Sequence, residues 1–236
     1  WAGAPDRDPA ISNVGLAQMG SNIGSSMHSF GAQWFLLEAT HSSALVAWVQ
    51  TASLLPVLLL SLVAGVLADG GDRRRLLIVL SAASTVAASA LWVMEAVGAL
   101  APWSLLLMTF VLGCIAALSN PAWQAIQPDL VPRAEIPAAA SLSGITVNGA
   151  RAIGPALAGV LVSLGGPALV FGLNAVSFVG VVAVLARWRP DATPSRPARE
   201  RFLPAAAAGI RYVRSAPGVR RILLRSGLFV IPASVL

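Results

Sequence analysis

The amino-acid sequence predicts an all-α, polytopic membrane protein, and three observations lead there. Hydrophobic residues make up 56% of the chain and charged ones only 11%, against about 25% charged in an ordinary soluble domain. Apolar stretches recur that reach the ~20 residues a helix needs to cross a bilayer. The arginines fall between those stretches, as membrane topology requires. A net charge of +6 therefore reflects topology, and no nucleic-acid partner is expected. Strand alternation at barrel spacing is absent, which leaves helices as the spanning structure that satisfies its own backbone in lipid. The chain has no lysine and one cysteine, Cys114; a lone thiol makes neither an internal disulfide nor a thiolate metal cage.

The first span, Val14–Leu37, sorts into three faces when wound as a helix. Gln18, Asn22, Ser25, Ser29 and Gln33 form a polar face. Leu16, Met19, Ile23, Met27, Phe30 and Trp34 form an apolar one. Gly20, Gly24 and Gly31 form a third, where Gly20-x-x-x-Gly24 invites close helix approach. Polar side chains inside a span need water or partners, so the polar face is read as lining a substrate cavity. Hydrogen bonding between helices is the plainer alternative. His28 borders that face, and imidazole titrates near neutrality, so His28 is a candidate proton carrier as well as a cavity residue. A neutral, hydrogen-bonded histidine would serve packing alone.

The second and third spans, Ala44–Ala68 and Leu76–Val97, enclose a short loop ending in Arg73, Arg74 and Arg75. Three adjacent cations mark the cytoplasmic side. Span four covers Trp103–Ile126, where Asn120-Pro121 is expected to break or bend the helix before Asp129. Span five, Ile136–Ser163, carries Asn148 and Arg151. A guanidinium inside a span faces water or a partner, so both residues join the candidate cavity. An internal ion pair is the structural alternative for Arg151. Gly154, Pro155 and Gly159 are read as a helix-bend motif. Span six is Pro167–Leu185. Glu38, Glu95 and Asp129 lie near span ends, and no carboxylate lies mid-span.

The domain plan is a six-helix bundle over residues 1–187, a linker over 188–218, and the start of a seventh span over 219–236. The linker opens with Pro190, Pro194 and Pro197, then places Phe202, Ala206, Ile210 and Val213 at helical spacing, which reads as an amphipathic surface helix. Arginine placement puts the N-terminus in the cytoplasm. Ala64-Gly65-Val66-Leu67 recurs as Ala158-Gly159-Val160-Leu161, each copy followed by Gly-Gly; these spans run in opposite directions, so the repeat is inverted. The chain begins without methionine and stops inside an apolar run, and is read as a fragment.

The loop after span two resembles the signature of the major facilitator superfamily, Gly-x-x-x-Asp followed by basic residues, in Gly65, Asp69, Arg73, Arg74 and Arg75. Gly70 stands where a basic residue is common and Asp72 where glycine is common. Asn120-Pro121-Ala122, Pro128-Asp129-Leu130-Val131-Pro132-Arg133, Ala150-Arg151-Ala152-Ile153-Gly154-Pro155 and Gly209-Ile210-Arg211-Tyr212-Val213-Arg214 are similar to its transmembrane secretion effector group, which includes enterobactin exporters. The resemblance implies the first half of a twelve-helix fold, built from two inverted three-helix repeats, with substrate held between halves. It implies that Asp69, the arginines and Asp129 form a gating network against the C-terminal half. Span five resembles the antiporter glycine-proline motif, with Ser141, Ala150 and Ala158 in place of glycines.

The function expected is therefore proton-coupled export of a small molecule, drug or siderophore-like, by alternating access in a bacterial plasma membrane. The expected partners are the lipid bilayer, the substrate, protons and the C-terminal half of the chain. A non-transporting sensor or scaffold on the same fold is the alternative. No His-Glu-x-x-His or Gly-x-Ser-x-Gly occurs, so neither a membrane-embedded enzyme nor a metal or other cofactor is expected.

Overall fold

The structure is a computed structural model that describes residues 9–70, 72–130 and 136–188, together with positions 218 and 221. The chain divides into units at 1–193 and 194–236, and the fold below belongs to the first. The linker helix over Arg199–Arg214, Arg133 and the start of the seventh span lie outside the described residues.

Five helices follow in order: α1 (Pro9–Thr40), α2 (Ser43–Gly70), α3 (Arg73–Ala96), α4 (Pro102–Leu130) and α5 (Ile136–Arg187). α5 is two spans joined at Gly165 and Gly166, whose dihedrals are not helical. Gly166 has φ 71 and ψ −178, a conformation open essentially to glycine alone. Six crossings result, in the places the apolar stretches predict. Among the described residues, α2 to α5 contain windows long and apolar enough to span a membrane. α1 does not, because its amides, serines and histidine interrupt it. At 24 residues, α3 extends about 36 Å, more than the hydrocarbon core of a bilayer.

At the two prolines where a break or bend is expected, the backbone stays helical, so neither proline ends its helix. α4 runs through Asn120-Pro121 without interruption. α5 keeps helical dihedrals through Gly154-Pro155 and leaves them only at Gly165 and Gly166. Flanking turns carry the helix past the single lost donor of each proline, which membrane helices tolerate when neighbours compensate. Gly154 serves close approach instead. A Cβ there would lie 2.5 Å from the Ser26 Cβ.

α1 packs chiefly on α5, α2 on α4, and α3 on both α5 and α4. Gly24 and Gly31 set the approach of α1 to the second arm of α5. A Cβ on Gly24 would fall 2.8 Å from Asn174 Oδ1, and one on Gly31 would fall 3.0 Å from Val170 Cγ1. Gly20 has nothing within 4 Å, so the working pair is spaced by seven residues and not by the four of Gly20-x-x-x-Gly24.

The buried apolar residues form clusters at the two ends of the bundle. Val14, Leu77, Ile126 and Leu185 pack at the end that carries the arginines. Leu36, Val49, Leu91, Leu105 and Phe171 pack at the opposite end. A third cluster, Met27, Ala158, Val162 and Val170, joins α1 to both arms of α5. Large apolar side chains such as Leu58, Val86 and Leu164 cover the outer surface and are exposed in the isolated bundle. An exposed apolar exterior of this extent suits lipid.

Candidate functional site

Between the two apolar ends lies a belt of polar residues at mid-depth. Ser21 and His28 come from α1, Ser81 and Ser84 from α3, Thr109 from α4 and Asn174 from α5, and all six are buried. They line one chamber of about 190 Å³. Folding brings polar positions of four helices to one depth. Ser53 adds a hydroxyl from α2.

His28 is the chamber's centre of chemistry. Its Nε2 lies 3.4 Å from Thr109 Oγ1, and its ring tilts against Phe171 with centroids 5.3 Å apart. Among the described residues, three buried side-chain atoms have no hydrogen-bond partner: His28 Nδ1, Gln18 Oε1 and Asn174 Oδ1. All three belong to residues lining this chamber. An orphaned buried polar atom costs about 1–3 kcal/mol, so three around one space mark it as a place for water.

Gln18, Asn22, Ser25 and Ser29, from the polar face of α1, also line the chamber. Gln18 Nε2 donates to Asn22 Oδ1 at 3.3 Å, and the Ser29 hydroxyl donates to the Ser25 carbonyl at 3.2 Å. Gln33 does not reach it. Ser25 and Asn120 are exposed, so the chamber opens at the bundle surface. Ser21, Ser81, Ser84, Thr109 and Asn174 escaped sequence reasoning, and their signal was a polar residue inside an apolar span.

Asn148 and Arg151 are not part of the chamber. Both are exposed on the first arm of α5. Asn148 Nδ2 donates to the Gly144 carbonyl at 2.9 Å, within its own helix. Ser141, Asn148 and Arg151 share one stripe, and such a stripe turned to lipid is costly. The candidate cavity residues thus divide between the chamber and an exposed polar face.

The end opposite the arginines has a recess of about 550 Å³, lined by Trp34, Phe35, Glu38, Glu95 and Gly159 among others. Gly159, which the sequence places in a helix-bend motif, has open space beside it at this recess.

The arginine end is held by main-chain carbonyls. Arg73 Nε donates to the Ala68 carbonyl at 3.2 Å, and its Nη1 donates to the Ala125 carbonyl at 2.6 Å. Arg74 donates to Leu185 and Ala186, each at 2.8 Å. A cation near the last carbonyls of a helix satisfies orphaned acceptors and meets the negative end of the dipole. Asp72 caps α3 by accepting from the Arg75 amide at 3.1 Å, which accounts for an aspartate where glycine is common. Gly65 lies in α2, Asp69 in its last turn and Asp129 in the last turn of α4. The side chains of Asp69 and Asp129 lie outside the described residues.

Residues 2–236 match the family described as transmembrane secretion effector. The chain belongs to that family of major facilitator proteins. It is 32% identical to the staphyloferrin A transporter of Staphylococcus aureus over 143 residues, covering 60% of this chain and 36% of that protein. It is 29% identical over 232 residues to the enterobactin exporter EntS of Shigella boydii, covering 96% and 54%. With EntS of Escherichia coli the identity is 31% over 179 residues, covering 74% and 42%. The chain spans about half the length of the curated relatives it matches.

Proposed function

We propose that this secretion effector chain forms the first half of a secondary exporter that moves a siderophore-like small molecule out of a bacterial cell by alternating access, driven by protons. Family membership across nearly the whole chain carries the reading. Relatives named as an enterobactin exporter and a staphyloferrin A transporter support the substrate class. In this reading the N-terminus and the arginines are cytoplasmic, consistent with the positive-inside rule. The exposed stripe of Asn148 and Arg151 faces the C-terminal half across the substrate cleft, where a guanidinium suits an anionic chelator. Asp69, at the end of α2, docks on a helix N-terminus of that half, where the dipole favours a carboxylate.

The test uses the complete parent protein in inside-out vesicles. Proton-gradient-driven uptake is recorded for enterobactin and for ethidium, with Arg151→Ala alongside. Uptake of enterobactin that falls in the variant is the expected result. Uptake of ethidium alone, indifferent to Arg151, would replace the siderophore reading with a multidrug one. Binding without any movement of either would overturn export.

A further inference from the structure

We infer that the chamber inside this bundle is a proton-binding site separate from the substrate cleft, with His28 as the group that takes and releases the proton. The inference rests on the proton-coupled reading and assigns it a place.

Three observations lead to it. The chamber is polar and lies between two apolar clusters, with Leu77 and Leu185 on one side and Leu36 and Phe171 on the other. His28 is the sole titratable residue among those that line it. The lining contributions of α1, α2, α3, α4 and α5 are otherwise hydroxyls, amides and uncharged apolar side chains, without a carboxylate or a guanidinium. And the imidazole has one nitrogen near a hydroxyl, Thr109 Oγ1, and one without a partner, Nδ1.

That arrangement suits reversible protonation. In the tautomer with hydrogen on Nε2, the ring donates to Thr109 and keeps a lone pair on Nδ1. A proton delivered by water through the opening at Ser25 and Asn120 binds Nδ1 and gives an imidazolium that donates from both nitrogens. Asn174 Oδ1 and Gln18 Oε1, both without partners, are acceptors for the waters that solvate this charge. Returning the proton to water restores the neutral ring, so the cycle consumes nothing. An all-apolar surrounding would forbid the charged form; here hydroxyls and amides line the chamber beside the imidazole.

The experiment uses the complete parent protein in liposomes loaded with pyranine, a trapped pH dye, and enterobactin as the transported probe. His28→Gln and His28→Asn keep a polar side chain but hold no proton. Two quantities are measured, enterobactin-driven proton movement and equilibrium exchange of labelled enterobactin, which needs no net proton transfer. The expected result is loss of proton movement with exchange retained, and loss of the pH dependence of exchange. Proton movement that persists in both variants overturns the inference and leaves proton coupling standing. Loss of exchange together with proton movement in both variants overturns it as well, in favour of a packing role. If the unaltered protein exchanges enterobactin but moves no protons, proton coupling itself fails, and the inference falls with it.

Discussion

Arg73 Nη1 meets the carbonyl of Ala125 at 2.6 Å, across 52 positions of chain. The same guanidinium reaches back to Ala68 in the turn it follows. One side chain thus ties the end of α2 and the last turns of α4 to the start of α3. Arg74 does the equivalent for the end of α5. The basic run is therefore also a set of helix fasteners.

The three arginines should differ in their contribution to stability. Arg73→Ala and Arg74→Ala each strand carbonyls and should lower stability by about 1–3 kcal/mol. Among the described residues Arg75 pairs with Asp72, at 3.2 Å and largely in solvent, so Arg75→Ala should cost less than ~0.5 kcal/mol through that pair. Thermal unfolding of the detergent-solubilised protein ranks them, and equal losses at all three positions would contradict the assignment.

Asp72 caps α3 through the Arg75 amide. Asp72→Ala should cost about 1 kcal/mol, while Asp72→Ser should cost much less, because serine accepts the same bond. The same melting experiment decides it. A serine variant as damaged as alanine would show that the carboxylate does something other than cap.

Gly24 and Gly20 make a matched pair. Gly24→Ala drives a Cβ to 2.7 Å from Ser177 Oγ and 3.3 Å from Asn174 Cα, whereas Gly20→Ala meets nothing within 4 Å. The first should destabilise by about 1–3 kcal/mol through overpacking, and the second should be near neutral. Comparable melting of the two variants would mean that α1 does not approach α5 on this face.

Thr109→Val removes the hydroxyl beside His28 and leaves a second imidazole nitrogen without a partner. A loss of about 1–3 kcal/mol is expected, with Thr109→Ser largely restoring it. Full stability of the valine variant would place the His28 partner elsewhere.

Asp69→Asn in the complete protein should slow transport with little effect on folding, since the amide keeps the shape and loses the charge that favours a helix N-terminus. Turnover equal to the unaltered protein would remove the gating role.

Much of the fold is legible in the sequence, because the solvent imposes it. Apolar length reports crossings, and the six spans sit where the hydrophobic runs put them. Helix prolines are less legible. Pro121 and Pro155 carry the ordinary signal for a break, yet both helices pass through, since neighbouring packing outweighs one missing donor. The basic run signals a charge network; what it does not signal is that Arg73 and Arg74 also donate to backbone carbonyls, because a backbone carbonyl has no letter in a sequence. The site was half visible. Winding α1 exposes Gln18, Asn22, Ser25 and Ser29 as a stripe. Ser81, Thr109 and Asn174 are single letters in three separate helices. Only the depth at which those helices pack makes them neighbours of His28.

The low apolarity of α1 bears on biogenesis. Lacking a window apolar enough to count as a span by itself, it is the weakest candidate for independent transfer from translocon to lipid, where amides and imidazole are penalised. Its polar flank finds hydroxyl and amide neighbours only when α3, α4 and the second arm of α5 have been synthesised, more than a hundred residues later. This helix, made before those partners, is thus settled in the bilayer only once they follow. Its residence there is a product of assembly, not of its own hydrophobicity.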